Sequence, residues 1–235
     1  MGNGVVVAGA QGPGRRYQLV ELLVFLFLVM PAVMLVLAPR SLEELSFGEL
    51  ASGQIVRNLV LFVVVLYLVR RSGEPLGSIG LGRVRWSAEA GVGLLLFLPV
   101  FLAAGLLESA LRSAGLSGLD ATPAFLVPDG IPELLLALLF LAVVALSEEV
   151  VFRGYLIRRL QGVTGSLVVA VLISTTLFAL GHGYQGTAGL ITVGFLGLAF
   201  AIIYLWRGSL IAPITMHFVQ NFIGVVVVPL AAAPG

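Results

Sequence analysis

The stretch LLLALLFLAVVALSEEVVF, residues 134–152, is long and apolar enough to cross a membrane, yet it contains two adjacent glutamates, Glu148 and Glu149. On insertion scales, a carboxylate at the centre of a membrane helix costs roughly 3 kcal/mol. The two histidines of the chain, His182 and His217, also lie in or beside apolar segments. Three apolar segments therefore carry side chains suited to acid–base chemistry, which predicts a catalytic site inside the bilayer.

The composition predicts an integral membrane protein with a single domain, residues 1–235. The chain is 59% hydrophobic and only 11% charged, whereas about a quarter of the residues in a soluble domain are charged. It contains no cysteine and no lysine, since arginine accounts for all 13 cations. Disulfides, thiolate catalysis and lysine Schiff-base chemistry are thereby excluded. The hydrophobic composition predicts the lipid bilayer as a partner, and the net charge of +1 gives no reason to expect nucleic acid.

The apolar runs predict the fold class: an all-α, polytopic membrane bundle of about seven transmembrane helices around an intramembrane polar cavity. The fourth, fifth and seventh helices are expected to line that cavity. The second span is the least certain because its apolar core is short. The predicted spans are residues 18–38, 55–69, 88–111, 132–160, 166–183, 187–206 and 209–231.

The distribution of arginine predicts the orientation of the chain. If the N-terminus is cytoplasmic, nine arginines flank cytoplasmic helix ends, and only Arg40, Arg57 and Arg112 lie toward the other side. Because arginine accumulates in cytoplasmic loops, we expect a multi-pass protein of the cell membrane, with its N-terminus in the cytoplasm and its C-terminus outside.

The two glutamates are expected to have different roles. Adjacent residues of an α-helix point about 100° apart, so the two carboxylates should face different neighbours. Glu149 and Arg153 are four residues apart, in the order that favours an ion pair, which predicts a structural role for both. Glu148 is then the unpaired carboxylate and the candidate general base.

The remaining candidates lie on the predicted fifth and seventh helices. His217 and Asn221 are four residues apart and share a helix face. Counting about 1.5 Å per residue places Glu148, His182 and His217 at similar depths. Glu148 and His182 are expected to activate a water molecule, and His217 and Asn221 to donate hydrogen bonds to an oxyanion. A zinc ion held by Glu148, His182 and His217 is the alternative; no cofactor is otherwise expected.

These motifs resemble those of the CAAX protease and bacteriocin-processing family of intramembrane endopeptidases, also called the abortive-infection family. The resemblance rests on Glu-Glu-x-x-x-Arg at residues 148–153, Phe-x-x-x-His at 178–182 and His-x-x-x-Asn at 217–221. The motifs occur in the family's order, each on a hydrophobic helix. The resemblance covers residues 132–231, the catalytic motif core, while the first three spans match only as generic membrane helices.

The resemblance implies that Glu148 and His182 activate the water and that His217 and Asn221 form the oxyanion hole. It implies a glutamate mechanism, although the family was long described as metalloproteases. The eukaryotic members of the family remove the last three residues of prenylated CAAX proteins. The arginine-rich, lysine-free chain looks bacterial, so we expect a bacterial inner membrane and a membrane-associated peptide or protein substrate.

Two other functions are compatible with the same residues. A proton-coupled transporter would use Glu148, His182 and His217 as a proton relay, and a non-catalytic membrane scaffold would retain them without turnover. Phe178 is interpreted as a packing residue. Three glycines of the sixth span are interpreted as close-packing positions for neighbouring helices: Gly189, Gly194 and Gly197.

Overall fold

A computed structural model describes residues 13–36 and 45–232. It confirms an all-helical membrane bundle, with 84% of the described residues helical and no strand within the described ranges. Among the described residues, six helices are long and apolar enough to cross a membrane. The principal helices are α1 (Arg15–Val36), α2 (Phe47–Arg71), α3 (Trp86–Ser113), α4 (Gly130–Thr164), α5 (Leu167–Leu180), α6 (Gly186–Arg207) and α7 (Ile211–Ala231).

Helix α2 begins eight residues before the predicted second span, 55–69. Ser46 caps it: its hydroxyl accepts from the backbone N–H of Glu49, whose carboxylate accepts from the backbone N–H of Ser46. This capping box satisfies two backbone donors at the helix start. The predicted boundary was wrong because hydropathy alone missed this polar first turn, and the extension places Arg57 well inside the helix.

Helix α5 is shorter than the predicted fifth span, residues 166–183, so the described residues contain six membrane-length helices where seven were expected. It contains 14 residues, a length of about 21 Å that is shorter than the roughly 30 Å hydrocarbon core. Ser166 caps its start by accepting from the backbone N–H of Val169. Beyond Leu180 the chain leaves the α-helix, so His182 follows the end of α5.

Helix α4 is the central element of the bundle. It packs against α1, α2, α5 and α7. Half of the residues in its most apolar stretch are buried inside the protein. Its regular α-helix ends at Glu148, and a π-helical segment covers Glu149–Leu156. Such segments are rare and frequently mark functional sites.

The end of the bundle where α2 and α6 finish in arginines is called the basic end below. There α4 is anchored by buried ion pairs. Arg159 donates to Glu21 of α1 at 2.6 Å and to Glu74, which follows α2, at 2.5 Å. Arg158 also pairs with Glu74, and the Tyr155 hydroxyl donates to Glu21. Every charge in this group has a partner, so the group anchors α1 and the α2–α3 connection onto α4.

Replacing Arg159 with alanine is expected to destabilise the protein by about 3–5 kcal/mol, because it removes one partner of a buried charge network. Thermal unfolding in detergent would measure the loss. The matched control is Arg112→Ala, which breaks an exposed pair with Asp120 worth at most about 1 kcal/mol. Equal losses in the two variants would show that the buried group does not anchor the fold.

Candidate functional site

Glu149 and Arg153 form the predicted ion pair. Glu149 Oε1 lies 2.8 Å from Arg153 Nη1, and both side chains are almost completely buried. Arg153 also donates from Nη2 to the carbonyl of Gly197 at 3.3 Å, and its guanidinium lies 4.1 Å from the centre of the Phe178 ring. The ion pair therefore links α4 to both α5 and α6.

Glu149 also contacts a histidine, which sequence reasoning missed. The same Oε1 lies 2.9 Å from His217 Nδ1, and Glu148 Oε2 lies 3.7 Å from His217 Nε2. The expectation that the two glutamates face different neighbours was therefore wrong. Their carboxylates approach the two nitrogens of one imidazole, which lie on different edges of the ring.

The neighbours of the two histidines define which nitrogen carries a proton. His182 Nδ1 lies 2.9 Å from the carbonyl of Phe178, and a carbonyl can only accept, so Nδ1 carries the proton. A neutral His182 then keeps a lone pair on Nε2. In the same way an ionised Glu149 accepts from His217 Nδ1–H. The spacing of Phe-x-x-x-His thus supplies a helix-end carbonyl that orients the imidazole.

Phe178 lies between the two histidines. Its ring centre is 4.8 Å from that of His182 and 5.9 Å from that of His217. Phe200 of α6, which the sequence did not single out, lies 5.7 Å from His217 on another side. Aromatic rings therefore pack against both imidazoles, of which His217 is buried and His182 half-buried, and Phe178 has the packing role predicted for it.

Asn221 lies one turn beyond His217 on α7 and is half-buried. Its side chain makes no hydrogen bond to any described residue, so it does not orient His217. Among the described residues, the structure also shows no hydrogen bond between Glu148 and His182. The structure thus brings Glu148 and Glu149 together at His217, and the Glu148–His182 and Asn221 roles stay predictions.

Most of the buried side-chain atoms that lack a hydrogen-bond partner lie on the helices of this cluster. Glu148 Oε2 and Glu149 Oε2 are both buried without a hydrogen-bond partner. The same is true of side-chain oxygens on α4, α6 and α7: those of Ser147, Thr192 and Gln220. Unpaired buried polar atoms are costly, so the free oxygens of Glu148 and Glu149 are the least satisfied polar atoms beside His217.

The described residues contain no group of three or more histidine, aspartate or glutamate side chains arranged to hold a metal ion. Glu148, Glu149 and His217 do lie together, but Glu149 Oε1 is shared between Arg153 and His217. The cluster is thus built mainly from hydrogen bonds and one ion pair, and the zinc alternative stays a prediction.

Comparison with known proteins supports the predicted resemblance. Residues 130–223 match the family model described as "Type II CAAX prenyl endopeptidase Rce1-like". No curated protein and no solved structure matches the chain. The matched segment runs from the start of α4 into α7 and contains all the predicted site residues. The match confirms the predicted resemblance of this segment to CAAX-type intramembrane proteases, at the level of the family.

Gly197 is a close-packing position, as predicted. An added Cβ would lie 3.0 Å from Phe178 Cδ1 and 3.1 Å from Arg153 Nη2. Gly194 would meet only Ala179, at an ordinary 3.6 Å, and the tightest contact at Gly189 is with Gln185, in the turn that precedes α6. The close-packing interpretation therefore holds for Gly197 against α4 and α5, and is wrong for Gly189, whose contact is local.

We expect Gly197→Ala to destabilise the protein by about 1–3 kcal/mol, because the methyl group displaces Phe178 and Arg153. Gly194→Ala, on the same helix, should be neutral or stabilising by about 0.5–1 kcal/mol, since alanine is the better helix former. Thermal unfolding of both variants measures the difference. An unaffected Gly197→Ala would mean that the ring and guanidinium move aside freely.

Proposed function

We propose that this chain is an intramembrane endopeptidase that hydrolyses peptide bonds with a water molecule activated by Glu148 and His182. The observation that carries the proposal is the state of Glu148. Its Oε2 is buried, has no hydrogen-bond partner and lies 3.7 Å from His217 Nε2, on a helix long enough to cross a membrane. The family-level match of residues 130–223 supports the same reaction class.

Glu148 acts as the general base in this proposal. A water held between its carboxylate and His182 Nε2 gives a proton to Glu148, and its oxygen attacks the carbonyl carbon of the scissile peptide. The C–N bond then breaks, and Glu148 returns the proton to the leaving amine. The Nδ1 contact of His182 with the Phe178 carbonyl supports this arrangement because it leaves Nε2 free to accept from water.

His217 and Asn221 stabilise the tetrahedral oxyanion, a contribution of about 3 kcal/mol for each donor. Because Glu149 accepts from Nδ1–H, donation from Nε2 requires an imidazolium with protons on both nitrogens. Glu149 positions this ring and supplies a neighbouring negative charge. We therefore assign Glu149 a positioning role for His217 in addition to its pairing with Arg153.

The substrate class is a membrane-associated peptide or protein. Six membrane-length helices support a multi-pass membrane protein. The proposed site lies on α4, α5 and α7, so the substrate reaches it from within the bundle. The cytoplasmic N-terminus and external C-terminus are part of this proposal on the arginine distribution, and the bacterial inner membrane on the arginine-rich, lysine-free composition.

Cleavage of a lipid-embedded peptide library by the purified protein tests the function. Glu148→Gln is expected to lower kcat by about 10²–10⁴-fold, because it removes the base, while a strong chelator leaves the wild type active. Activity lost with chelator and restored by zinc would replace this mechanism with a metal-dependent one.

The same assay separates the other functions. Activity that survives in Glu148→Gln contradicts the proposal. If neither protein cleaves any peptide, a pH-driven flux into vesicles would identify a proton-coupled carrier, and its absence a scaffold.

The positioning role of Glu149 is tested by comparing Glu149→Gln with the double variant Glu149→Gln/Arg153→Met. The single variant leaves the Arg153 charge buried without its partner, and it should lose both stability and activity. The double variant removes both charges and should recover much of the stability. If Glu149 positions His217, kcat stays at least about tenfold low with KM little changed, and the pH profile of kcat shifts. Recovery of kcat together with stability would leave Glu149 a purely structural role.

A further inference from the structure

Tyr184 lies beside the proposed water-activating residues, in the short turn Gly183–Gln185 between α5 and α6. Its ring centre is 6.3 Å from that of His182, and the two ring planes are inclined by 31°. Glu148 is also close enough for its negative charge to act on the phenol. Tyr184 therefore borders both Glu148 and His182, although the reaction proposed above gives it no role.

The exposure of Tyr184 distinguishes it from the other aromatic residues of the site. Tyr184 is 56% exposed, whereas Phe178 and Phe200 are buried. The side chain of Glu148 is 22% exposed, and His182 is half-buried. The accessible members of the cluster are thus the ones that lie near Tyr184. A peptide that reaches Glu148 and His182 from this side contacts the Tyr184 ring.

The hydroxyl group of Tyr184 has an unused donor. It accepts a hydrogen bond from Gln185 Nε2 at 3.3 Å, and its own O–H donates to no described residue. A phenol both donates and accepts hydrogen bonds, so the capacity that remains here is for an acceptor. The acceptors that every peptide provides are its backbone carbonyl oxygens. This hydroxyl therefore matches a carbonyl of a bound peptide.

The turn that carries Tyr184 is held in place at two points. Within the turn, the Gln185 N–H donates to the His182 carbonyl at 3.0 Å. At the start of α6, the Thr187 N–H donates at 3.2 Å to the hydroxyl of Ser117, which belongs to the α3–α4 connection. Because the backbone on both sides of Tyr184 is already fixed, little ordering of the turn is required when a peptide binds.

Resting on the proposed function, we propose that Tyr184 positions the peptide substrate by donating a hydrogen bond from its hydroxyl to a backbone carbonyl of the substrate. The ring forms one side of the entrance to His182. Since every residue of a peptide has a backbone carbonyl, this contact selects neither a side chain nor an end of the substrate. It fixes where the peptide backbone lies relative to Glu148, and the phenol does not touch the reacting atoms.

Peptide binding to the Glu148→Gln protein tests this inference without needing cleavage. The probe is a short, fluorescent, apolar peptide, and Tyr184→Phe removes the hydroxyl while keeping the ring. We expect the affinity to fall about 3–10-fold, as for the loss of one hydrogen bond. In the cleaving protein, the same substitution should raise KM by a similar factor and leave kcat nearly unchanged, because the contact is equally strong before and in the transition state.

Probes with one altered carbonyl identify the partner of the hydroxyl. In each probe, a single peptide carbonyl is replaced with a thiocarbonyl, whose sulfur is a weaker acceptor. At one position, this replacement should weaken binding to the protein that has Tyr184 but not to the Tyr184→Phe variant. Such coupling between the two changes indicates a direct contact. Absence of coupling at every position would overturn the inference.

The matched control is Tyr67→Phe, which removes the hydroxyl of a tyrosine on α2 that is similarly exposed, at 58%. It should leave the peptide affinity unchanged. Unfolding temperatures in lipid nanodiscs verify that each variant is folded. If Tyr184 only anchors the turn at the membrane interface, Tyr184→Phe lowers the unfolding temperature without changing the affinity, and the inference is overturned.

Three other outcomes would also overturn it: no peptide binding at all, a loss of affinity no larger than in Tyr67→Phe, or a lower kcat with an unchanged KM. The last outcome would place the phenol at the reacting atoms. Because binding is measured in the non-cleaving Glu148→Gln protein, absence of cleavage by the wild type would count against the proposed function alone.

Discussion

The contact of Glu149 Oε1 with both Arg153 and His217 holds the polar centre of this molecule together. At 2.8 and 2.9 Å, one buried oxygen balances the charge of Arg153 and orients an imidazole. Arg153 in turn lies over Phe178, the ring that separates the two histidines. Because a buried charge without its partner is strongly destabilising, these side chains hold their positions as a unit, and the arrangement around His217 follows from it.

Helix α4 carries two polar groups of opposite character. At the basic end, Arg159 and its two carboxylates satisfy one another completely, as expected of groups that hold a fold together. Near Glu148, several buried oxygens have no partner. The first group contributes stability, and the second lowers it unless water or substrate is bound. This contrast identifies the centre of the helix, rather than its end, as the place where function is to be sought.

The matched segment and the rest of the chain contribute different things. Residues 130–223 contain all the site residues predicted from the sequence. The part of the chain before residue 130 supplies Glu21 of α1 and Glu74 of the α2–α3 connection, whose ion pairs with Arg159 anchor α4.

The sequence by itself determined the membrane bundle, most helix positions and the Glu149–Arg153 pair, while the roles of the six site residues stay predictions. Each of these depends on properties that are local along the chain, namely apolar length and the four-residue repeat of a helix. Only the tertiary structure decided that both glutamates reach one histidine and that Phe200 lies against it. It also showed that α5 is too short to cross a membrane. The length of the apolar run did not reveal this, because the run continues past the end of the helix. Contacts between helices depend on how distant segments pack against one another, and no periodicity within one segment records that.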